Sequence, residues 1–318
     1  ESVKPGGFNS FLQHEKGILW TIHYDKPCMT TRRTHLDWLA ISLLLLCCLF
    51  WGWQQVLVKA TLPEVPAVSQ AALRFMGSAL TMWVWCRIRP IPLWQADGSL
   101  PAGLLAGVLF SAEFVCMYLG LKYTSASRLT IFLYTAPFWV ALFLPLWVKS
   151  ERMRLQQWLG LSLAFASVGY ALRDGLLQAG DDAQWLGDVL ALGAGAFWGL
   201  TTVMIRSTSV AGLSPERLLL YQIGNCALVL PALAWVAGEP LSLNYSAWAW
   251  TSVGVQAAVG AFLSYLVWMW MLSRYPATRL STFGFLTPVF ALMSGTLWLG
   301  EPLTPSLLVA LLGVGASP

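Results

Sequence analysis

Charge is what this 318-residue sequence has least of: Asp, Glu, Lys and Arg make up only 11% of it. A soluble domain carries about 25%. So few charges cannot coat a surface that faces water. With 57% of residues hydrophobic and a mean hydropathy of +0.63, lipid is the expected solvent. Histidine is scarce as well. His14, His23 and His35 all precede the first long apolar run, which excludes a histidine-based catalytic or metal site within the membrane body. Cys28, Cys47, Cys48, Cys86, Cys116 and Cys226 lack metal-ligand spacing and read as small apolar fillers. There is no P-loop and no nucleophile elbow, and Gly193-Ala-Gly195 does not open a βαβ unit. ATP-driven transport by this chain itself is therefore not expected, and neither is a cofactor. The net charge of +4 forms no basic stripe with interleaved aromatics, so no nucleic-acid partner is expected either.

What the sequence does have is long apolar runs, 18 Trp and 27 Gly. Trp gathers at membrane interfaces, and Gly lets helices approach closely. A span needs roughly 20 apolar residues. Such runs lie near 38–58, 67–86, 101–121, 127–148, 155–172, 185–205, 215–237, 247–272 and 276–299, and a tenth begins near Thr304 and is cut short at Pro318. They are continuous rather than alternating, which argues for helices over a closed barrel. Residues 1–28 are mixed in polarity and lack the order of a signal peptide, whereas Met29 directly precedes Arg32, Arg33 and the first run. We therefore expect 1–28 to be an upstream or non-native segment.

Lys and Arg orient the chain. With the N-terminus inside, one side collects Arg32, Arg33, Arg87, Arg89, Lys149, Arg152, Arg154, Arg206, Arg217, Arg274 and Arg279. The other collects only Lys59, Lys122, Arg128 and Arg173. Both ends of a complete ten-helix chain would then be cytoplasmic.

The second half repeats the first. Phe50-Trp51-Gly52 recurs as Phe197-Trp198-Gly199, with a basic residue seven positions after the glycine in each, Lys59 and Arg206. Gly77 and Gly224 match at the same offset. Tyr123, Arg128, Pro137, Trp147 and Glu151 recur in order as Tyr275, Arg279, Pro288, Trp298 and Glu301. The expected organisation is a first repeat at 29–172, a polar linker at 173–184 and a C-terminally truncated second repeat at 185–318. Five spans per repeat is an odd number, so the second copy must enter the membrane from the opposite side. The expected fold is thus an all-α integral membrane protein of ten transmembrane helices, arranged as two inverted five-helix repeats with the tenth helix truncated. Many secondary transporters use this arrangement.

On these residues the sequence resembles the EamA-type transporters of the drug/metabolite transporter superfamily. The resemblance runs over roughly 38–316 and rests on the ten spans, Phe50-Trp51-Gly52, the Tyr-Thr-Ser-Ala-Ser at 123–127 and the Leu-Gly-Glu at 299–301. It implies a multi-pass carrier of the bacterial inner membrane, often an exporter of amino acids, other metabolites or toxic compounds. It also implies a central cavity lined by spans 1–4 and 6–9, with spans 5 and 10 peripheral.

Several residues are candidates to line such a cavity. Glu113 lies mid-span, where a carboxylate costs at least about 2.5–3.5 kcal/mol on insertion scales. It must face a cavity, find a partner or be protonated. It reads either as a proton-coupling or substrate-amine site or as a helix-bridging group. Arg74 offers a bidentate fork for a carboxylate, or pairs structurally with Glu113, or snorkels to the interface. Its repeat position is Tyr221, beside Gln222 and near Asn225. Gln54 and Gln55, and Thr201 and Thr202 in the second copy, follow the Phe-Trp-Gly motif. Trp51 and Trp198 suit an apolar wall or ordinary packing. Tyr134 and Thr135, with Phe283 and Thr287 in the other copy, flank the mid-span prolines, and Tyr265 is near the repeat counterpart of Glu113. Pro137 and Pro288 should kink their helices and are candidate hinges. Gly103-x3-Gly107 and Gly195-x3-Gly199 have the spacing of close helix contact.

The expected function is a secondary transporter of small metabolites, with an exporter of amino-acid-like or amphipathic solutes as the leading form. It would work by alternating access around a central cavity, with lipid as environment and protons as a candidate coupling partner. A membrane-embedded enzyme or a non-transporting scaffold is the alternative. The enzyme would need paired catalytic groups at one depth, and Glu113 has no such partner motif. The scaffold would pack without a polar cavity.

Overall fold

The computed structural model describes residues 35–93, 97–120, 123–124, 126–171, 173, 183–239 and 241–299. The expectations for 1–28, most of the 173–184 linker, the tenth span and Glu301 lie outside the described residues, as do the side chains of Lys59 and Arg128. The described residues belong to one body within 32–318. All regular structure among them is helical.

Twelve α-helical segments succeed one another among those residues. They are α1 (Trp38–Thr61), α2 (Ala67–Ile88), α3 (Leu100–Gly120), α4 (Ala126–Leu133), α5 (Ala136–Trp147), α6 (Leu155–Ala171), α7 (Gln184–Ser207), α8 (Pro215–Val236), α9 (Ala247–Val255), α10 (Ser264–Arg274), α11 (Ala277–Phe283) and α12 (Leu286–Leu299). Six stretches are long and apolar enough to cross a membrane: Trp38–Val58, Leu100–Gly120, Leu129–Trp147, Gln184–Ser207, Pro215–Val236 and Ala247–Arg274. The chain is a multi-pass membrane protein. Of the other expected spans, α6 has 17 residues and α12 has 14. Helix α2 is long enough but carries Ser69, Gln70, Arg74 and Ser78, all buried, so its polarity is turned toward protein rather than lipid.

Helix starts show how the sequence sets these boundaries. Asp37 caps α1 by accepting from Ala40 N (2.9 Å). Ser214 and Ser246 do the same for α8 and α9, as short oxygen-bearing side chains do at first turns. Helices α2 and α11 instead start after Pro66 and Pro276, which have no side chain to cap with. Their free N–H groups are met from far along the chain. Glu239 Oε2 accepts from Val68 N (2.8 Å). The Glu151 carboxylate accepts from Ala277 N (3.1 Å) and Thr278 N (3.3 Å). At the other end of α8, Gly238 takes φ 73°, and Glu239 N bonds Ala234 O (2.8 Å). This turn needs the left-handed conformation that glycine adopts freely, and it delivers Glu239 to α2.

Spans four and nine are not continuous helices. Each is broken just ahead of its proline, after Leu133 and Phe283. Pro137 and Pro288 lie in the first turn of the segment that resumes. Proline has no N–H to give to the carbonyl four residues back, so each helix ends and restarts. Span eight departs further from expectation. Between α9 and α10, Gln256–Leu263 form a π-helix, and Ser264 N bonds Val259 O, five residues back. The two copies lie 147 residues apart at Gly52 and Gly199 but 151 apart at Pro137 and Pro288. The surplus falls in span eight, which runs 28 residues where α3 runs 21. The wider π turns take up part of it.

Packing is paired between the copies. Helix α1 lies against α12, and α7 against α4 and α5. Helix α3 lies against α8, and α2 against the π segment; α2 and α8 lie against each other. The two Phe-Trp-Gly glycines serve these contacts. A Cβ on Gly52 would stand 2.6 Å from Ala291 N in α12, and one on Gly199 would stand 2.5 Å from Trp139 Cβ in α5. Likewise a methyl on Gly107 would overlap the Tyr221 carbonyl oxygen, so α3 and α8 touch backbone to backbone.

Candidate functional site

A cavity of about 470 Å³ lies among these helices, lined from α1, α2, α3, α4, α7, α8, α10 and α12. Its walls are mostly apolar, with aromatic side chains contributed by several helices. Trp51 meets Trp268 edge-on at 5.7 Å between centroids and Tyr265 at 6.0 Å, and Trp198 meets Tyr134 at 5.6 Å. Phe110 and Phe114 complete the α3 side. Such a surface offers an apolar body-rest with few polar groups, the usual make-up of a small-molecule pocket.

The polar groups are few and definite. Arg74 of α2 is only 4% exposed. Its Nη2 donates to Tyr265 OH (2.9 Å), while the guanidinium carbon stands over the rings of Phe75, Phe114 and Tyr265 at 5.4, 6.0 and 5.7 Å. Glu113 of α3 lines the same cavity, 7% exposed. Trp51 Nε1 donates to Ser264 Oγ (2.8 Å), whose proton goes to Gly260 O (2.5 Å). The hydroxyls of Thr201 and Thr202 donate back to Phe197 O (2.8 Å) and Trp198 O (3.2 Å), leaving only acceptor capacity for the cavity.

Five lining groups have a buried polar atom without a hydrogen-bond partner among the described residues: Arg74 Nε, Glu113 Oε2, Gln54 Oε1, Gln222 Oε1 and Thr287 Oγ1. Buried polar atoms are nearly always bonded. Contributed by five different helices around one cavity, these five groups equip it to take donors and an acceptor from a polar ligand.

Beyond the lining residues Ile205 and Leu272, the end of α7 is closed by a buried polar knot. Arg206 Nη2 pairs with Glu151 Oε1, and Arg206 Nη1 donates to Leu272 O (2.8 Å). The same Glu151 carboxylate caps α11 and accepts from Thr278 Oγ1 (3.0 Å).

Of the residues singled out in the sequence, Trp51, Gln54, Gln55, Arg74, Glu113, Tyr134, Trp198, Thr201, Gln222 and Tyr265 line the cavity, as does Pro288. Thr135, Asn225, Phe283 and Pro137 do not. Thr135 Oγ1 donates to Phe132 O (2.7 Å) and accepts from Trp139 Nε1 (3.2 Å), tying the break in span four. Asn225 points at Gly107, and the Phe283 carbonyl accepts from Cys48 Sγ. Sequence reasoning passed over Phe110, Phe114, Met117 and Tyr118, and Trp268, Met269 and Leu272. A signal was present. Phe110 and Met117 stand three and four residues from Glu113, and Trp268, Met269 and Leu272 three, four and seven from Tyr265, so fixing one inward residue on each helix fixes the centre of its stripe, with Phe114 and Tyr118 beside it. No cluster of metal-ligating side chains exists among the described residues.

Known proteins match along most of this chain. The model of the EamA-like transporter family matches residues 38–173 and again 185–317. An uncharacterized protein of Pseudomonas aeruginosa is 32% identical over 292 residues, covering 90% of this chain and 93% of its own. The threonine/homoserine exporter RhtA of Escherichia coli is 29% identical over 282 residues, covering 86% and 88%. A probable amino-acid metabolite efflux pump of Escherichia coli is 25% identical over 274 residues, covering 82% and 87%. A crystal structure matches with a TM-score of 0.73 at 17% identity, over 87% of this chain and 96% of that one, which bears on the fold alone.

Proposed function

The chain belongs to the EamA-like transporter family, and from that premise we propose that it is a secondary carrier that exports small amino-acid-like solutes by alternating access. The observation that carries the reading is the aromatic cavity holding Arg74 and Glu113 with unpaired polar atoms. In it, Arg74 receives the solute carboxylate through its fork. Glu113 receives the solute ammonium or a coupling proton. The aromatic walls cover the apolar part. Gln54, Gln222 and Thr287 supply the remaining hydrogen bonds.

The proposed frame is ten helices in two inverted five-helix repeats, in a bacterial inner membrane with both termini cytoplasmic. Support comes from the doubled family match, from the paired packing of the copies and from the one-sided distribution of Lys and Arg. In that frame the Glu151–Arg206 knot is the closed cytoplasmic gate, and the ends of α1 and α4 at Leu62 and Leu129 face the periplasm. The relatives named for threonine, homoserine and amino-acid metabolites favour an amino-acid-like cargo. An apolar cavity that holds Arg74 and Glu113 among the helices also favours a carrier over a scaffold.

The test is uptake of labelled amino acids by proteoliposomes, with and without a pH gradient. The wild type should move at least one zwitterion, faster with the gradient, and Glu113→Gln should abolish the gradient's effect. A gradient effect that survives Glu113→Gln would remove this residue from coupling. Absence of movement across the whole amino-acid set would remove the cargo class.

A further inference from the structure

Ser264 and Tyr265 are consecutive residues just past the π segment, and each reaches across to the first repeat. Ser264 holds Trp51, and Tyr265 holds Arg74 (2.8 and 2.9 Å). The second contact is chemically mismatched. A guanidinium has a planar fork that suits two oxygens of a carboxylate; a phenol gives it one neutral oxygen. Arg74 is nonetheless buried, its Nε is unpartnered, and aromatic rings surround the rest of the group. Without the phenol this enclosed cation would lose the hydrogen bond it makes at 2.9 Å and keep only its interactions with the Tyr118 hydroxyl and the Glu113 carboxylate, a costly condition for a buried charge.

We propose that Tyr265 is a stand-in ligand, whose hydroxyl holds Arg74 while the cavity is empty, yields to the carboxylate of an arriving solute and returns when the solute leaves. The inference rests on the reading that Arg74 receives the solute carboxylate in an alternating carrier. A carrier must reorient twice per cycle, once loaded and once empty. The loaded form has a carboxylate on Arg74, and the empty form has Tyr265. Either way the guanidinium crosses the closed intermediate with an acceptor in place. Because the phenol is neutral and one-pronged, an ionised carboxylate outcompetes it.

Tyr265 lines the cavity of about 470 Å³, which gives its side chain room to move. Its ring contacts Trp51 and Phe110 only by edges, at 6.0 and 5.9 Å between centroids. It comes directly after a π segment whose last bond spans five residues. A π turn holds one residue more than an α turn, so relaxing one turn swings the downstream helix by about 100°. Tyr265 is thus a positioning residue of the empty carrier, and its hydroxyl should matter most in the return step.

The experiment is Tyr265→Phe, which removes one oxygen and keeps the ring. Proteoliposomes are loaded with labelled L-phenylalanine, which has a carboxylate, an ammonium and an aromatic body. Net efflux into empty buffer requires the empty return; exchange against unlabelled L-phenylalanine does not. In the variant, net efflux should fall about tenfold relative to exchange, the equivalent of one lost hydrogen bond. Half-saturation of exchange should drop several-fold, because the internal competitor is gone. If net efflux and exchange fall together, Tyr265 is a solute contact or a packing residue, and the proposal is overturned. If neither changes, it is likewise overturned.

A ligand-free measurement separates this from the cargo reading. In the empty protein, Tyr265→Phe should raise amide hydrogen exchange in 67–88 and 256–272 several-fold, with an unchanged melting temperature reporting an intact fold. Unchanged exchange there overturns the stand-in role even if L-phenylalanine is carried. Raised exchange in a protein that does not carry L-phenylalanine supports the internal contact and rejects only the cargo.

Discussion

Glu151 and Arg206, 55 residues apart in the chain, meet as a buried ion pair, with their side chains 2% and 4% exposed. The pair is part of a larger joint, because the same carboxylate caps α11 and the same guanidinium holds the end of α10 through Leu272 O. One acid thus ties several elements together. Breaking a buried pair by removing one partner costs about 3–5 kcal/mol, whereas replacing both partners by apolar groups is far milder. Glu151→Ala should destabilise by about that amount, read from denaturant unfolding in detergent. Glu151→Leu with Arg206→Met should recover a large part. An additive double variant would show that the pair is not the source.

Arg74→Ala should raise the half-saturating concentration of carboxylate-bearing solutes by roughly 10- to 100-fold, the range for a hydrogen bond to a charged group. An amine lacking the carboxylate, such as phenethylamine, should compete as well against the variant as against wild type. Competition assays with both compounds check this. Equal weakening of both would mean that Arg74 shapes the cavity without recognising an anion.

Two helix glycines should behave oppositely under the same change. Gly107→Ala places a methyl against the Tyr221 carbonyl oxygen and should destabilise by about 1–3 kcal/mol. Gly224→Ala, also within a helix but with nothing within 4 Å of the new Cβ, should be neutral or stabilising by up to about 1 kcal/mol. Melting temperatures of the two variants decide it. A Gly107→Ala protein as stable as wild type would show that α3 and α8 can separate freely.

In the loop before α3, the Arg217 guanidinium and the Ser99 hydroxyl and amide hold the Asp97 carboxyl far below the usual carboxylate range. A lowered folded value means that the stabilisation is complete above the unfolded value, about 3.9. It fades as pH falls from there toward the folded value. Melting curves of wild type and Asp97→Asn should therefore run parallel from pH 7 to about pH 5 and converge below about pH 4. Convergence near neutral pH would contradict the assignment.

Much of the site was legible in the residues themselves. Glu113 and Arg74 stood out because ionised groups do not sit in apolar runs without cause, and both line the cavity. The two Phe-Trp-Gly motifs singled out Trp51 and Trp198 for either a cavity wall or helix packing, and both line the cavity. What the sequence hid was of two kinds. Phe110, Phe114 and Trp268 are apolar residues among apolar residues. Only the facing helices distinguish cavity from lipid, and lipid removes the contrast that makes a soluble helix amphipathic. The π segment has no residue signature either; Gln256-Ala-Ala-Val-Gly-Ala-Phe-Leu263 reads as ordinary helix. Its only trace was the shift in spacing between the copies. The two non-local caps were hidden for a further reason. Helices α2 and α11 begin after Pro66 and Pro276, and nothing near either proline in the sequence names Glu239 or Glu151 as the partners.

The π segment has a consequence for energetics. Two perfectly equivalent halves would make the inward-open and outward-open forms mirror each other, and a resting population would divide evenly between them. Here one half carries a distorted turn and, directly after it, the tyrosine that holds Arg74, while α3, its counterpart, is regular. The sequence breaks the mirror, so in the proposed alternating-access cycle the two forms would differ in free energy. A carrier of the proposed kind would have a preferred resting side, and solute offered from opposite faces of the membrane would meet unequal fractions of receptive molecules.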